Sequence, residues 1–209
     1  MKKTWIAAFA LFGCKGNTIN DPGTNMLDFF PFDDNLDCIW EFAHEDVLKP
    51  YGMNASITNY EYRDGYSWYE VSFVKDCRGQ TENCTEGELI RRLGWEVRGL
   101  GGVSIASLET PTSNYTFEPA LKVADGRMMR GEVVETSTGG STYTSTVDFT
   151  DCPVPLETFD DCARFDIDTS DGVLDTVGTL WAINDYNVIA VDWLDQDGLW
   201  QLVGHTIDQ

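Results

Sequence analysis

Gly139-Gly140 stands between two β-prone runs, Glu132–Thr138 and Ser141–Phe149. Two residues free to adopt positive φ between such runs form a two-residue hairpin. The second run alternates, with Tyr143, Ser145, Val147 and Phe149 on one face and Thr142, Thr144, Thr146 and Asp148 on the other. The same grammar recurs along the chain. Tyr69, Val71 and Phe73 alternate with Glu70 and Ser72, and Ser56–Tyr62 precedes the turn signal Arg63-Asp64-Gly65. Trp40 and Phe42 mark a strand near 38–47, and further strands are predicted at about 88–98 and 102–109. Tyr115–Val123, containing Pro119, leads to a turn at Asp125-Gly126. The end reads as a meander of Cys162–Asp168, Val173–Ile183, Val188–Leu194 and Leu199–Thr206. Its turns fall at Ser170-Asp171-Gly172, Asn184–Asn187 and Asp195–Gly198. The pattern predicts a mainly β protein: a single curled antiparallel sheet, half-barrel or open barrel, with little helix.

The first residues follow a different rule. Lys2-Lys3 precede Thr4–Gly13, ten residues without a charge, and Cys14 follows. A basic start and a short apolar run form an export signal, too short for the ~20 apolar residues that span a bilayer. By itself the run also fits a plain secretory signal. Leu11-Phe12-Gly13-Cys14 resembles the lipobox of bacterial lipoproteins. That resemblance implies cleavage before Cys14, acylation of Cys14 and attachment to a membrane through the lipid. Lys15, where an Asp would favour inner-membrane retention, points to the outer membrane. The division that follows is a signal at 1–13, the lipidated Cys14 with a flexible polar tether at 14–27, and a β domain at 28–209 beginning near Phe29-Phe30-Pro31-Phe32.

Composition limits the partners. Without residues 1–13 the chain keeps 196 residues, enough for one domain, with 12 basic against 35 acidic side chains, a net charge of −23. Such a surface repels phosphate backbones, which excludes nucleic acid, and it repels anionic membrane surfaces as well. With Cys14 assigned to lipid, five cysteines remain. Cys77 and Cys84 flank a polar loop, and Cys152 and Cys162 flank Pro153 and Pro155. Each pair is a disulfide candidate in an oxidising compartment, leaving Cys38 free and buried. No Cys-x-x-Cys occurs and His44 and His205 lie far apart, so no metal site is expected. The Asp-rich stretch Asp166–Asp175 misses the register of a calcium loop. His44-Glu45-Asp46 lacks the second His of a zinc-protease motif and reads as surface.

No nucleophile elbow, phosphate loop or dinucleotide fingerprint is present, so neither catalysis nor a cofactor is expected. Trp68, Trp181, Trp193 and Trp200 are the residues a ligand platform would use, though aromatic side chains more often fill a core. Val154–Phe165, Gly178–Ile183, Asn187–Val191, Phe29–Phe32 with Trp40, and Phe117–Val123 are similar to segments of uncharacterised bacterial lipoproteins. Those resemble in turn the half-barrel of periplasmic lipoprotein carriers. Two functions follow as expectations. One is a structural or protein-interaction lipoprotein. The other is a carrier whose curled sheet holds an apolar ligand such as an acyl chain, which needs a pocket of roughly 300–1,000 Å³.

Overall fold

The computed structural model describes residues 24–46, 48–79, 84–153, 162–169, 178–184, 187–193 and 198–207. Its strands are β1 (Thr24–Asn25), β2 (Cys38–His44), β3 (Gly52–Arg63), β4 (Tyr66–Asp76), β5 (Leu89–Arg98), β6 (Gly102–Thr110) and β7 (Ser113–Ala124). They continue with β8 (Arg127–Met128), β9 (Val133–Thr138), β10 (Ser141–Thr150), β11 (Cys162–Thr169), β12 (Thr179–Ile183), β13 (Asn187–Asp192) and β14 (Leu199–Ile207). Twelve of them form one antiparallel sheet in the order β7-β6-β5-β4-β3-β2-β14-β13-β12-β11-β10-β9, and β1 pairs with β8 in a small second sheet. Helix among the described residues is limited to three short 3-10 turns, at Met26–Phe29, Asp33–Asn35 and Gly99–Gly101. The mainly β, curled antiparallel architecture read from the sequence is therefore the fold, nearly closed and barrel-like.

The turn chemistry explains the hairpins. Gly139 and Gly140 both have positive φ, 62° and 89°, and join Thr138 to Ser141 in register. Asp64-Gly65 joins Arg63 to Tyr66 in the same two-residue way. Pro119 lies in β7, an outermost strand, where the missing N–H removes no ladder bond. Register shifts at Ile57/Asn59, Phe73/Val74, Gly94/Trp95, Ile105/Ser107 and Leu202/Gly204 insert extra residues. Each one bends its strand and adds twist, which curls the sheet.

Curling brings the two edge strands together without a continuous backbone ladder. Inward hydroxyls make the seam. Thr136 Oγ1 accepts from the Lys122 backbone N–H at 2.9 Å, and Ser145 Oγ donates to the Val123 carbonyl at 2.7 Å. Thr138 Oγ1 donates to the Glu118 carbonyl at 2.9 Å. These bonds account for the burial of two polar residues, Ser145 and Thr136.

An eight-stranded barrel is just filled by its own side chains, so twelve strands enclose more room than strand side chains occupy. The surplus is taken by the N-terminal segment. Residues 24–27, expected in the tether, belong to the fold. Thr24–Asn25 pairs with Arg127–Met128, the Met26 N–H donates to the Gly126 carbonyl, and Asn25 caps the first 3-10 turn. Met26, Phe29, Phe30 and Phe32 are all buried, so the segment is a plug that stops one end of the barrel. Polar letters at 24–25 hid this, because β-pairing satisfies their backbone whatever their side chains.

The wall has two characters. Tyr69, Val71 and Phe73 face in, while Glu70 faces out. Outside, Arg92 pairs with Glu109 at 2.9 Å and bonds Ser72 at 3.2 Å, and Thr58 donates to Glu70 at 2.8 Å, a polar band across β3, β4, β5 and β6. Arg164, Asp166 and Thr179 form a second such group.

Candidate functional site

The barrel interior is where a ligand would bind, and its two ends differ. At the plugged end, Phe30 sits between opposite walls. Its ring centroid is 5.6 Å from that of Trp95 on β5 and 5.5 Å from that of Phe165 on β11. Phe32 stacks on Tyr69 at 4.8 Å and meets Trp95 at 5.7 Å. The Tyr69 hydroxyl donates to Asp33 Oδ1 at 2.6 Å, which ties the plug to the wall. Burial first, and then the bond to Asp33, push the Tyr69 phenol up to about 12. Beside the plug lies a cavity of about 20 Å³ lined by Phe32, Trp40, Phe42, Val71, Phe73 and Trp95. It has room for one water molecule, far below the size of a lipid pocket.

At the other end the interior becomes aromatic and polar. Trp193 and Trp200, two of the four ligand-platform candidates, lie here and are fully buried. Trp193 meets Phe73 edge-on at 5.1 Å, and the Arg91 guanidinium lies 4.4 Å over its ring. Arg91 is 1 % exposed, in phase with inward Leu93 and Trp95 on β5. Trp200 stacks on Tyr51 at 5.8 Å and takes His44 edge-on at 5.0 Å. His44 does not belong to the surface as expected: as the last residue of β2 it faces in, directly opposite Trp200. Its Nδ1 accepts from the Asp46 backbone N–H at 2.9 Å, which places the ring proton on Nε2. The His44 Nε2 and Trp200 Nε1 atoms are buried without a hydrogen-bond partner. Sequence reasoning missed His44 and Arg91 as interior groups. The signal for Arg91 was its period-two phase with Leu93 and Trp95.

Trp68 and Trp181 are not part of either cluster. Trp68 is half-buried on the outer wall, with the Arg63 guanidinium 4.7 Å over its ring. It lies over Gly94, where a Cβ would come within 3.3 Å of the indole. Trp181, also half-buried, pairs with outward Arg164. The four tryptophans therefore divide between inside and outside and do not form a common platform.

Both expected disulfides are present, Cys77–Cys84 with Cα atoms 5.8 Å apart and Cys152–Cys162 at 5.2 Å. Cys38 is free, half-buried rather than buried, and its Sγ donates to Asn35 Oδ1 at 3.5 Å. Burial, and then the charge of Asp37, raise its thiol above the ordinary value. Cys14 and the signal lie outside the described residues, as do the turns at 170–172 and 195–197 and the start of the Val173–Ile183 strand. Among the described residues no three His, Cys, Asp or Glu side chains are grouped so as to hold a metal ion, and no helix is long and apolar enough to cross a membrane.

Fold and interior together define a twelve-stranded, barrel-like antiparallel sheet stopped at one end by its own N-terminal segment. No family model, curated protein or solved structure matches the chain.

Proposed function

We infer that the protein is a lipid-anchored envelope protein with a structural or protein-interaction role and no catalysis, held by acylated Cys14 at the outer membrane. The observation that carries the non-carrier part is the plug. Met26, Phe29, Phe30 and Phe32 occupy the space a carrier would reserve for its ligand, and Phe30 touches both walls. An acyl chain would have to displace that segment together with the Tyr69–Asp33 bond. The anchor rests on Lys2-Lys3, the uncharged run Thr4–Gly13 and the lipobox-like Leu11-Phe12-Gly13-Cys14. The polar, ion-paired outer wall supports a barrel that stands in water and contacts protein partners there. It is unlike the apolar band of a barrel that crosses a membrane.

Two measurements test the reading separately. Clickable palmitate should label the wild-type protein in its host and fail to label Cys14→Ala; equal labelling removes the anchor. Native mass spectrometry of the delipidated chain purified from its host should show bare protein. A co-purified acyl ligand would replace the structural role with a carrier.

A further inference from the structure

Six large apolar or aromatic side chains are exposed among the described residues: Leu48, Tyr60, Tyr62, Leu100, Met129 and Val133. Scattered singly, they would need no explanation. Four of them, Tyr60, Tyr62, Leu100 and Met129, belong to one rim of the barrel, the plugged end. Tyr60 and Tyr62, 60 % and 79 % exposed, stand beside the Asp64-Gly65 turn of the β3–β4 hairpin. Leu100, fully exposed, is the middle of the next turn along the rim, between β5 and β6, and Met129 follows β8 in the loop after that. Leu48 lies at the opposite end, and Val133 on the wall.

These turns touch one another. The Arg98 guanidinium lies 4.4 Å over the Tyr66 ring, tying the end of β5 to the β3–β4 hairpin. The backbone of Leu100 packs so closely on Gly126 that a Cβ there would meet the Leu100 carbonyl at 2.9 Å. The folded part of the chain also begins here, since Thr24 pairs with Met128 at this rim. Only nine residues separate Thr24 from Cys14, a span of at most about 35 Å when fully extended.

We propose that this rim seats on the surface of a lipid bilayer, with Tyr60, Tyr62, Leu100 and Met129 in the headgroup region. The proposal rests on the lipid anchor at Cys14, whose short tether holds this end of the barrel, and not the other, against the membrane. A ring with a polar tip, as in Tyr60 and Tyr62, suits an environment apolar on one side and wet on the other. The net charge of −23 left after loss of residues 1–13 repels anionic headgroups, so the contact is apolar and fits zwitterionic lipid. A short tether keeps the rim at about millimolar effective concentration, so a contact weak in free solution is still made.

The test uses the chain without its signal, residues 14–209, carrying Cys14→Ser, mixed with phosphatidylcholine vesicles at millimolar lipid and followed by amide hydrogen exchange. Exchange should slow severalfold at residues 60–66, 99–101 and 127–130 and stay unchanged at the Leu48 end. The paired substitutions Tyr62→Ser and Leu100→Ser should abolish the slowing with an unchanged circular dichroism spectrum. Tyr60→Ser with Met129→Ser is the second variant should the first unfold. Added phosphatidylglycerol should reduce the protection. No slowing at any of these segments, or slowing at the Leu48 end, overturns the proposal. This chain cannot be acylated at residue 14, so its outcome is separate from that of palmitate labelling, where failure removes the anchor alone.

Discussion

Phe30→Ala is the sharpest probe of the plug. Phe30 is 3 % exposed and its ring lies against Trp95 and Phe165, whose strands belong to opposite walls. Removing a buried phenyl ring costs about 3–5 kcal/mol in transfer and cavity terms. Loss of its tilted ring contacts with Trp95, Phe165 and Phe32 is part of that figure, each worth roughly 0.5–1.5 kcal/mol beyond area. A domain of this size loses roughly 2–4 °C of melting temperature per kcal/mol, so about 4 kcal/mol predicts a fall of roughly 10 °C. The assay is thermal and urea unfolding of the purified chain, followed by tryptophan fluorescence. A double-mutant cycle with Phe165→Ala should show coupling, because the two rings share one contact. A melting temperature within about 2 °C of wild type, far short of that shift, would refute the argument. It would mean that Met26–Phe32 lies against the barrel without holding its walls together.

Tyr69→Phe removes the bond to Asp33, which is worth roughly 1.5–3 kcal/mol because its acceptor is charged. With its phenol raised to about 12, Tyr69 contributes stability that is whole below pH 10 and is lost as pH climbs from 10 to 12. The urea midpoint of wild type should fall over that window, and Tyr69→Phe, lower at neutral pH, should show a shallower fall; parallel curves would exclude the role. Ser145→Ala leaves the Val123 carbonyl without its donor at the seam and should cost about 1–3 kcal/mol in urea unfolding. The outward Thr146→Ala beside it should cost much less, and an equal loss would show that the seam bond contributes nothing.

Strand and turn are local properties, and the sequence by itself determined them. The alternation of Tyr143, Ser145, Val147 and Phe149 set one face of β10, and Gly139-Gly140 set its hairpin. The spacing of Cys77 with Cys84 and of Cys152 with Cys162 set two short loops that cysteines could close. Only the tertiary structure decided what each face met. Trp68 and Trp193 are alike as letters, yet β4 turns one outward over Gly94 while the other is enclosed beneath Arg91. His44 became an interior group because Trp200, from the far end of the chain, pairs opposite it. Ser145 is tolerated inside because curling brings the Val123 carbonyl within 2.7 Å. Residues 24–27 read as tether because Thr24 and Asn25 continue the polar run before them, and became part of a plug because twelve curled strands enclose room that their side chains leave unfilled. Periodicity reports neighbours two residues apart, whereas burial depends on partners brought from a hundred residues away by the closing of the sheet.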